Sequence, residues 1–397
     1  MIKLPCAGGG LKGSFAKFGT CVMFTLTLAV LSVLRAAAAP PPPLPPPPAA
    51  GMLPIVGTAL GDLQCAPVGT QSRQCLGIPF AAPPTGKLRW RPPALPEAWA
   101  GVRDATAAKP ACLQANDKPV PGRNEEDCLY LNIYAPRSPP PLQSGPSGLY
   151  PVVVWIHGGG YQTGAPPNGT ALVEQSGGSI IFIGINYRMG WAGFLGAEQL
   201  RALDTTDGST GNAGIQDQRA ALEWVQTHIA SFGGDPKRVT IDGCSAGAGS
   251  VAVHVTSPKA WTSFSQAAAQ SGMLAAWNSL PLDDATTFYQ LFAAAAGCTD
   301  NATAVACLEP KGSAELAAAA AKAWTTRVAQ ADYAGNNNYA PVLDGVEVVD
   351  TPINLLRNGE YDKLHFNVAH GVVCTNVVVC STNVLFARRC HCCCVCG

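Results

Sequence analysis

The chain of 397 residues is 47% apolar and 13% charged, enough to bury a substantial core, while 42 glycines and 34 prolines demand many turns and loops. One large domain with appendages is the simplest organisation. Basic and acidic residues balance at 26 each, but Lys3, Lys12, Lys17, Arg35, Arg388 and Arg389 lie in the two end segments, leaving 20 basic against 26 acidic residues in the body; nothing in that balance suggests a nucleic-acid footprint, and no nucleic-acid partner is expected.

In residues 1–39 three lysines precede the uncharged apolar run Cys21 to Leu34, and Ala36 to Ala39 follow it. Basic, then apolar, then small is the order of a secretory signal peptide, or of a signal anchor if it is not cleaved. The run is short for a spanning helix, which needs about 20 residues. A plastid transit peptide would also lack acids, but this leader is poor in Ser and Arg. The expected location is therefore secreted or in the endomembrane lumen, with membrane anchorage as the alternative; a membrane is a partner only if the leader stays attached. Residues 40–50 form a proline-rich linker, a stiff extended spacer. An incomplete domain over 51–367 and a Cys-rich tail over 368–397 complete the expected organisation.

Seven of the 16 cysteines crowd that tail. In the body stand Cys65, Cys75, Cys112, Cys128, Cys244, Cys298 and Cys307. In an oxidising compartment, close sequence pairs such as Cys112 with Cys128 and Cys298 with Cys307 would close short loops. Asn168-Gly169-Thr170 and Asn301-Ala302-Thr303 are glycosylation acceptors in the same compartment.

Pro151 to Ile156 is a β-branched and aromatic run, the pattern of a strand buried on both faces, and it delivers His157-Gly158-Gly159-Gly160. A second run, Ile180 to Ile185, reaches Asn186-Tyr187-Arg188, and a third, Val239 to Ile241, reaches Gly243. Between them, Asp217 to Phe232 places Ala221, Leu222, Val225 and Ile229 at helical spacing. Strand, helix, strand is the crossover unit of a parallel sheet. Beyond Ser245 a helix is expected through His254, then a strand near Ala267 to Gln270, alanine-rich helices over 282–329, and a turn at Asp344-Gly345.

Gly243-Cys244-Ser245-Ala246-Gly247 fits a nucleophile elbow, where a strand turns sharply into a helix and lifts a serine hydroxyl above the sheet. The flanking glycines are needed because a side chain at either place would strike the turn. An ester attacked by Ser245 becomes a tetrahedral oxyanion, and backbone N–H groups reach such a charge only where side chains do not intervene. Gly159, Gly160 and the amide of Ala246 are therefore the candidate oxyanion hole. The bland alternatives are an ordinary glycine turn and a buried serine at a helix start.

Further segments carry a family resemblance. Gly77-Ile78-Pro79-Phe80-Ala81 with Arg89-Trp90, Glu126-Asp127-Cys128-Leu129-Tyr130-Leu131-Asn132, Asn186-Tyr187-Arg188, Gly193-Phe194-Leu195, Gly211-Asn212 with Asp217-Gln218, and Phe232-Gly233-Gly234-Asp235-Pro236 resemble, in order, signature segments of type-B carboxylesterases and cholinesterases. The likeness covers roughly Gly61 to Asp362. It implies an α/β-hydrolase fold, a mostly parallel central sheet with helices on both faces and incomplete C-terminal strands. It also implies disulfides Cys112 with Cys128 and Cys298 with Cys307, and hydrolysis of a small-molecule carboxylic ester through an acyl-enzyme, with no metal and no cofactor.

Two departures stand out. Cys244 replaces the glutamate usual before the serine, and a buried thiol is the expected role. The triad runs Ser, then Asp or Glu, then His along the chain in this fold, yet no acidic residue follows Asp362. His254 stands about nine residues along the elbow helix, some 13 Å away at about 1.5 Å per residue; His157 belongs to the oxyanion loop, and His228 is expected at the surface. His365, His370 and His391 lie in or near the tail, which is read as untranslated or misread sequence joined to a truncated esterase. The Cys-Cys-Cys ending has no recognisable metal spacing, and zinc held by Cys390, His391, Cys392 and Cys396 is the lesser alternative. Ester hydrolysis by this chain is accordingly expected to be feeble or absent. The alternative is a non-catalytic cholinesterase-like module that binds protein. Trp191, Trp261 and Trp277 are expected in the core rather than along a gorge.

Overall fold

A computed structural model describes residues 54–115, 122–138, 147–330 and 338–362. The expected leader, the proline-rich linker, Lys363 to Phe366 and the tail with His365, His370 and His391 lie outside the described residues.

The centre is a seven-stranded sheet of β1 (Ala66–Val68), β2 (Ser72–Pro79), β3 (Tyr130–Pro136), β4 (Tyr150–Ile156), β5 (Ile181–Ile185), β6 (Gly234–Cys244) and β7 (Gln266–Gln270). Its order is β7-β6-β4-β5-β3-β2-β1. The sheet is mixed. Pairings from β7 through β6 and β4 to β5 are parallel, whereas β5 with β3, β3 with β2 and β2 with β1 are antiparallel. The parallel half is the part announced by the apolar runs. In the antiparallel half β3 is buried at all seven positions, so it has no alternation to reveal it.

Side chains of β4 alternate between two apolar clusters, as a period of two requires. Val152, Val154 and Ile156 enter the main core with Ile181, Ile183 and Ile185 of β5. Helices α2 (Ala213–His228) and α3 (Ala246–Thr256) cover this face through Ala221, Leu222, Val225, Val251, Ala252 and Val255. Val153 and Trp155 face the other way, against Leu76, Tyr134, Phe182 and Val173 of α1 (Thr170–Gln175). Helices thus lie on both faces. The alanine-rich region forms α4 (Leu282–Ala295), the short helix Ala304–Leu308 and α5 (Ser313–Val328), and Ile55–Thr58, Gly61–Gln64 and Val102–Asp104 form a separate small three-stranded sheet.

Cross-links fix the loops. Cys112 is bonded to Cys128 and Cys298 to Cys307, and a third disulfide joins Cys65 to Cys75, a pair that sequence spacing did not single out. Arg188 forms a buried ion pair with Asp217, Nη2 to Oδ1 at 2.7 Å and Nε to Oδ2 at 2.8 Å, which ties the loop after β5 to α2. Arg89 grips Glu126 at 2.6 Å and donates to the carbonyls of Glu309 and Lys311.

Candidate active site

The site is assembled where the parallel strands end. Gly243 of β6 lies in register with Ile156 of β4, so the two loops that follow leave the sheet side by side. Ser245 takes φ 57° and ψ −119°, a conformation that costs a non-glycine residue about 1–3 kcal/mol and persists only where its surroundings enforce it. Its N–H donates to the Gln270 carbonyl at 2.9 Å, prolonging the sheet, and α3 begins at the next residue. The two flanking glycines make the bend possible. A Cβ on Gly243 would stand 2.5 Å from the carbonyl of Gly247, and one on Gly247 would overlap the Ile156 carbonyl oxygen.

Ser245 and the glycine loop meet. A Cβ on Gly158 would lie 3.1 Å from the Cβ of Ser245 and 2.5 Å from the Cys244 carbonyl. Gly159 is exposed, Gly160 and Ser245 are half-buried, and Ala246 is buried. Ala246 opens α3, so its N–H has no intrahelical acceptor. The Gly159 N–H likewise donates to no group among the described residues, while the Gly159 carbonyl accepts from Gln162 and Thr163 at 3.0 Å. The Ala246 N–H beside the serine and the Gly159 N–H one residue beyond Gly158 thus make no backbone hydrogen bond among the described residues.

Sequence reasoning missed the second wall. Ser271 has φ 56°, and a Cβ on the following Gly272 would lie 2.5 Å from the Ser245 carbonyl oxygen. Asn278 closes this loop by donating through Nδ2 to the Gly272 carbonyl, and its Oδ1 accepts from the Tyr161 hydroxyl at 3.4 Å. Tyr161 itself has φ 59°, and its carbonyl accepts from Gly190 at 2.7 Å. Left-handed backbone at Ser or Tyr leaves no mark in a sequence; only the neighbouring glycines hinted at tight turns.

The described histidines occupy three different places. His157 is buried at the start of the glycine loop; its Nδ1 lies 2.9 Å from the Gly158 carbonyl and its ring stacks on Tyr187. Burial pulls its pKa down to about 4. His254 is buried in α3 with Nε2 at 2.9 Å from Gln218 Oε1, and burial followed by the nearby Arg219 charge pulls it down to about 3. His228 is not at the surface as expected: it is 9% exposed, because its ring packs on Trp224 within α2. None of the three hydrogen-bonds Ser245.

Cys244 is a buried thiol outside the three disulfides. Trp191 is in the core against Phe292, whereas Trp261 and Trp277 are half-buried, Trp261 donating to the Val255 carbonyl and Trp277 edge-on to Tyr161. Asn168 and Asn301 are both exposed. Asn168 precedes α1 and accepts from the Thr170 N–H at 2.9 Å. Among the described residues no group of three or more His, Cys, Asp or Glu side chains is placed to hold a metal. No described helix is long and apolar enough to cross a membrane, and the disulfides suggest an extracellular or lumenal setting.

A serine at a strand-to-helix elbow, beside a glycine loop from the neighbouring parallel strand, under helices on both faces of a mixed sheet, defines an α/β-hydrolase. The chain belongs to the carboxylesterase family, whose profile matches residues 53–384. It is 46% identical over 208 residues to the fumonisin B1 esterase of Sphingopyxis macrogoltabida, covering 50% of this chain and 36% of that protein. It is 34% identical over 337 residues to neuroligin-2 of Mus musculus, covering 75% of this chain and 38% of the relative. Among solved structures it is similar to the Geobacillus stearothermophilus carboxylesterase, with a TM-score of 0.65 at 34% identity, over 78% of this chain and 59% of that one. The chain therefore spans well under half the length of these curated relatives.

Proposed function

We propose that the site is that of a serine carboxylic ester hydrolase working through an acyl-enzyme. Ser245 Oγ adds to the ester carbonyl carbon, and the amides of Gly159, Gly160 and Ala246 hold the resulting oxyanion. Collapse expels the alcohol and leaves the acyl group on Ser245, and water then releases the acid. The observation that carries the reading is the contact between the strained Ser245 elbow and the Gly158 backbone. Likeness to a protein named as an esterase supports a carboxylic ester as substrate. The exposed Asn168 and Asn301 fit glycosylation in a secreted or endomembrane-lumenal protein.

Turnover by this chain is proposed to be feeble, because no described histidine reaches Ser245 and a serine that keeps its proton at neutral pH is a poor nucleophile. An arylboronic acid tests the site without demanding turnover, since it forms a tetrahedral serine adduct reversibly. Binding to the full chain, abolished by Ser245→Ala, is the expected result; equal binding to both would overturn the assignment. Rapid labelling by a phosphonate would overturn the account of the missing base.

Similarity to neuroligin-2 and the lack of a described base favour a second reading, a non-catalytic protein-binding module. That reading has no need of a serine that captures boronate.

A further inference from the structure

We propose that His157 is a positioning residue that aims the Gly159 amide into the oxyanion hole; this rests on the functional reading above. Nδ1 of His157 lies 2.9 Å from the Gly158 carbonyl oxygen, and a carbonyl can only accept, so Nδ1 carries the proton. The Gly158 carbonyl and the Gly159 N–H belong to one planar trans peptide and point in opposite directions. Holding the oxygen against the imidazole therefore turns the N–H away from it, and that N–H is the one that donates to no group among the described residues. Without this bond the peptide is free to rotate, because glycine on both sides tolerates either orientation and Gly159 already has φ 116°.

The imidazole is itself held. Its ring stacks on the fully buried Tyr187 at 4.4 Å between centroids, and the Tyr187 hydroxyl donates to the His157 carbonyl at 2.8 Å. Gly164 closes the other side: a Cβ there would collide with Nδ1. Gly164 in turn is pinned by Gln114, which accepts from its N–H at 2.7 Å and donates to its carbonyl at 3.2 Å. Nε2 is buried without a partner, and burial keeps the ring neutral, so a single tautomer serves one purpose.

Two measurements on the full chain test this. The ¹⁵N spectrum of imidazole-labelled protein is expected to show His157 protonated at Nδ1 and bare at Nε2 from pH 8 to pH 5.5; protonation at Nε2 instead would overturn the proposal whether or not the site binds anything. Arylboronic acid affinity is the second. His157→Leu, which removes the donor, is expected to weaken it about 10- to 100-fold, somewhat less than deletion of an oxyanion donor. His157→Gln, whose amide keeps a donor, is expected to stay within about 3-fold of the parent. Equal loss in both variants, or none in His157→Leu, would refute the positioning role. Failure of the parent chain to bind boronate would instead sink the functional reading, leaving the tautomer to decide on His157.

Discussion

Acid should unfold this protein through its buried imidazoles before its carboxylates. His157 and His254 are depressed to about 4 and about 3 from the ordinary 6.5, in both cases chiefly by burial. An unfolded chain binds more protons than the folded one between those values and 6.5, so the stability they contribute is complete above about pH 6.5 and is lost as pH falls through the folded values. At pH 5 each site lies about 1.5 units below its unfolded value and is still neutral when folded. At about 1.4 kcal/mol per unit that is about 2 kcal/mol each, or about 4 kcal/mol together, a large part of a net stability of about 5–15 kcal/mol. His228, also lowered by burial, adds to the same slope; Asp242, raised by burial, opposes it within its carboxylate range. Urea denaturation followed by tryptophan fluorescence at pH 7.5, 6 and 5, with disulfides intact, reads the slope directly. His254→Leu removes one titrating group, so its slope should be about half as steep whatever its absolute stability. A free energy constant from pH 7.5 to pH 5, or a variant slope equal to the parent's, would refute the assignment of acid sensitivity to these rings.

Asp217→Asn leaves Arg188 charged and buried without its carboxylate, and should cost about 3–5 kcal/mol in denaturant unfolding, whereas an exposed pair such as Glu198 with Arg201 should give under 1 kcal/mol. Replacing Cys112 and Cys128 together by serine opens a link between residues 16 apart and should lower stability by about 3 kcal/mol, seen as a shifted denaturation midpoint. Gly247→Ala drives a methyl group onto the Ile156 carbonyl, and boronate binding should vanish in whatever fraction remains folded by circular dichroism.

How much of this was legible in the residues depends on the kind of contact. The parallel strands β4, β5 and β6 announce themselves because each carries an apolar run, those of β4 and β6 leading into glycine turns, and α2 because its apolar positions recur at helical spacing. The elbow was readable because a steric rule fixes residue type at Gly243 and Gly247. The wall formed by Ser271, Asn278 and Tyr161 was not, since it depends on positive φ at ordinary residues and on contacts across more than 100 positions, such as Tyr161 to Asn278. His228 was misplaced for a related reason: a polar residue in the last turn of a helix reads as exposed until Trp224 is seen to cover it.

The proposed site divides into a part that would bind charge and a part that would move protons, and the described residues offer candidates only for the first. Register between Gly243 and Ile156, the crossing of Gly243 with Gly247, and the His157 bond to Gly158 all fall within residues 150–247, so the elbow and its amides are set by the parallel core itself. Removing the base from another serine hydrolase costs about 10⁶ in turnover, roughly 8 kcal/mol of barrier, while its oxyanion hole and binding still give about 10³ over water. The same separation predicts, for this chain, boronate affinity that depends on Ser245 together with ester turnover that barely does: with no base beside it among the described residues, Ser245→Ala should leave the residual rate within about 3-fold. Ester hydrolysis that collapses in Ser245→Ala would show that a base reaches the serine after all.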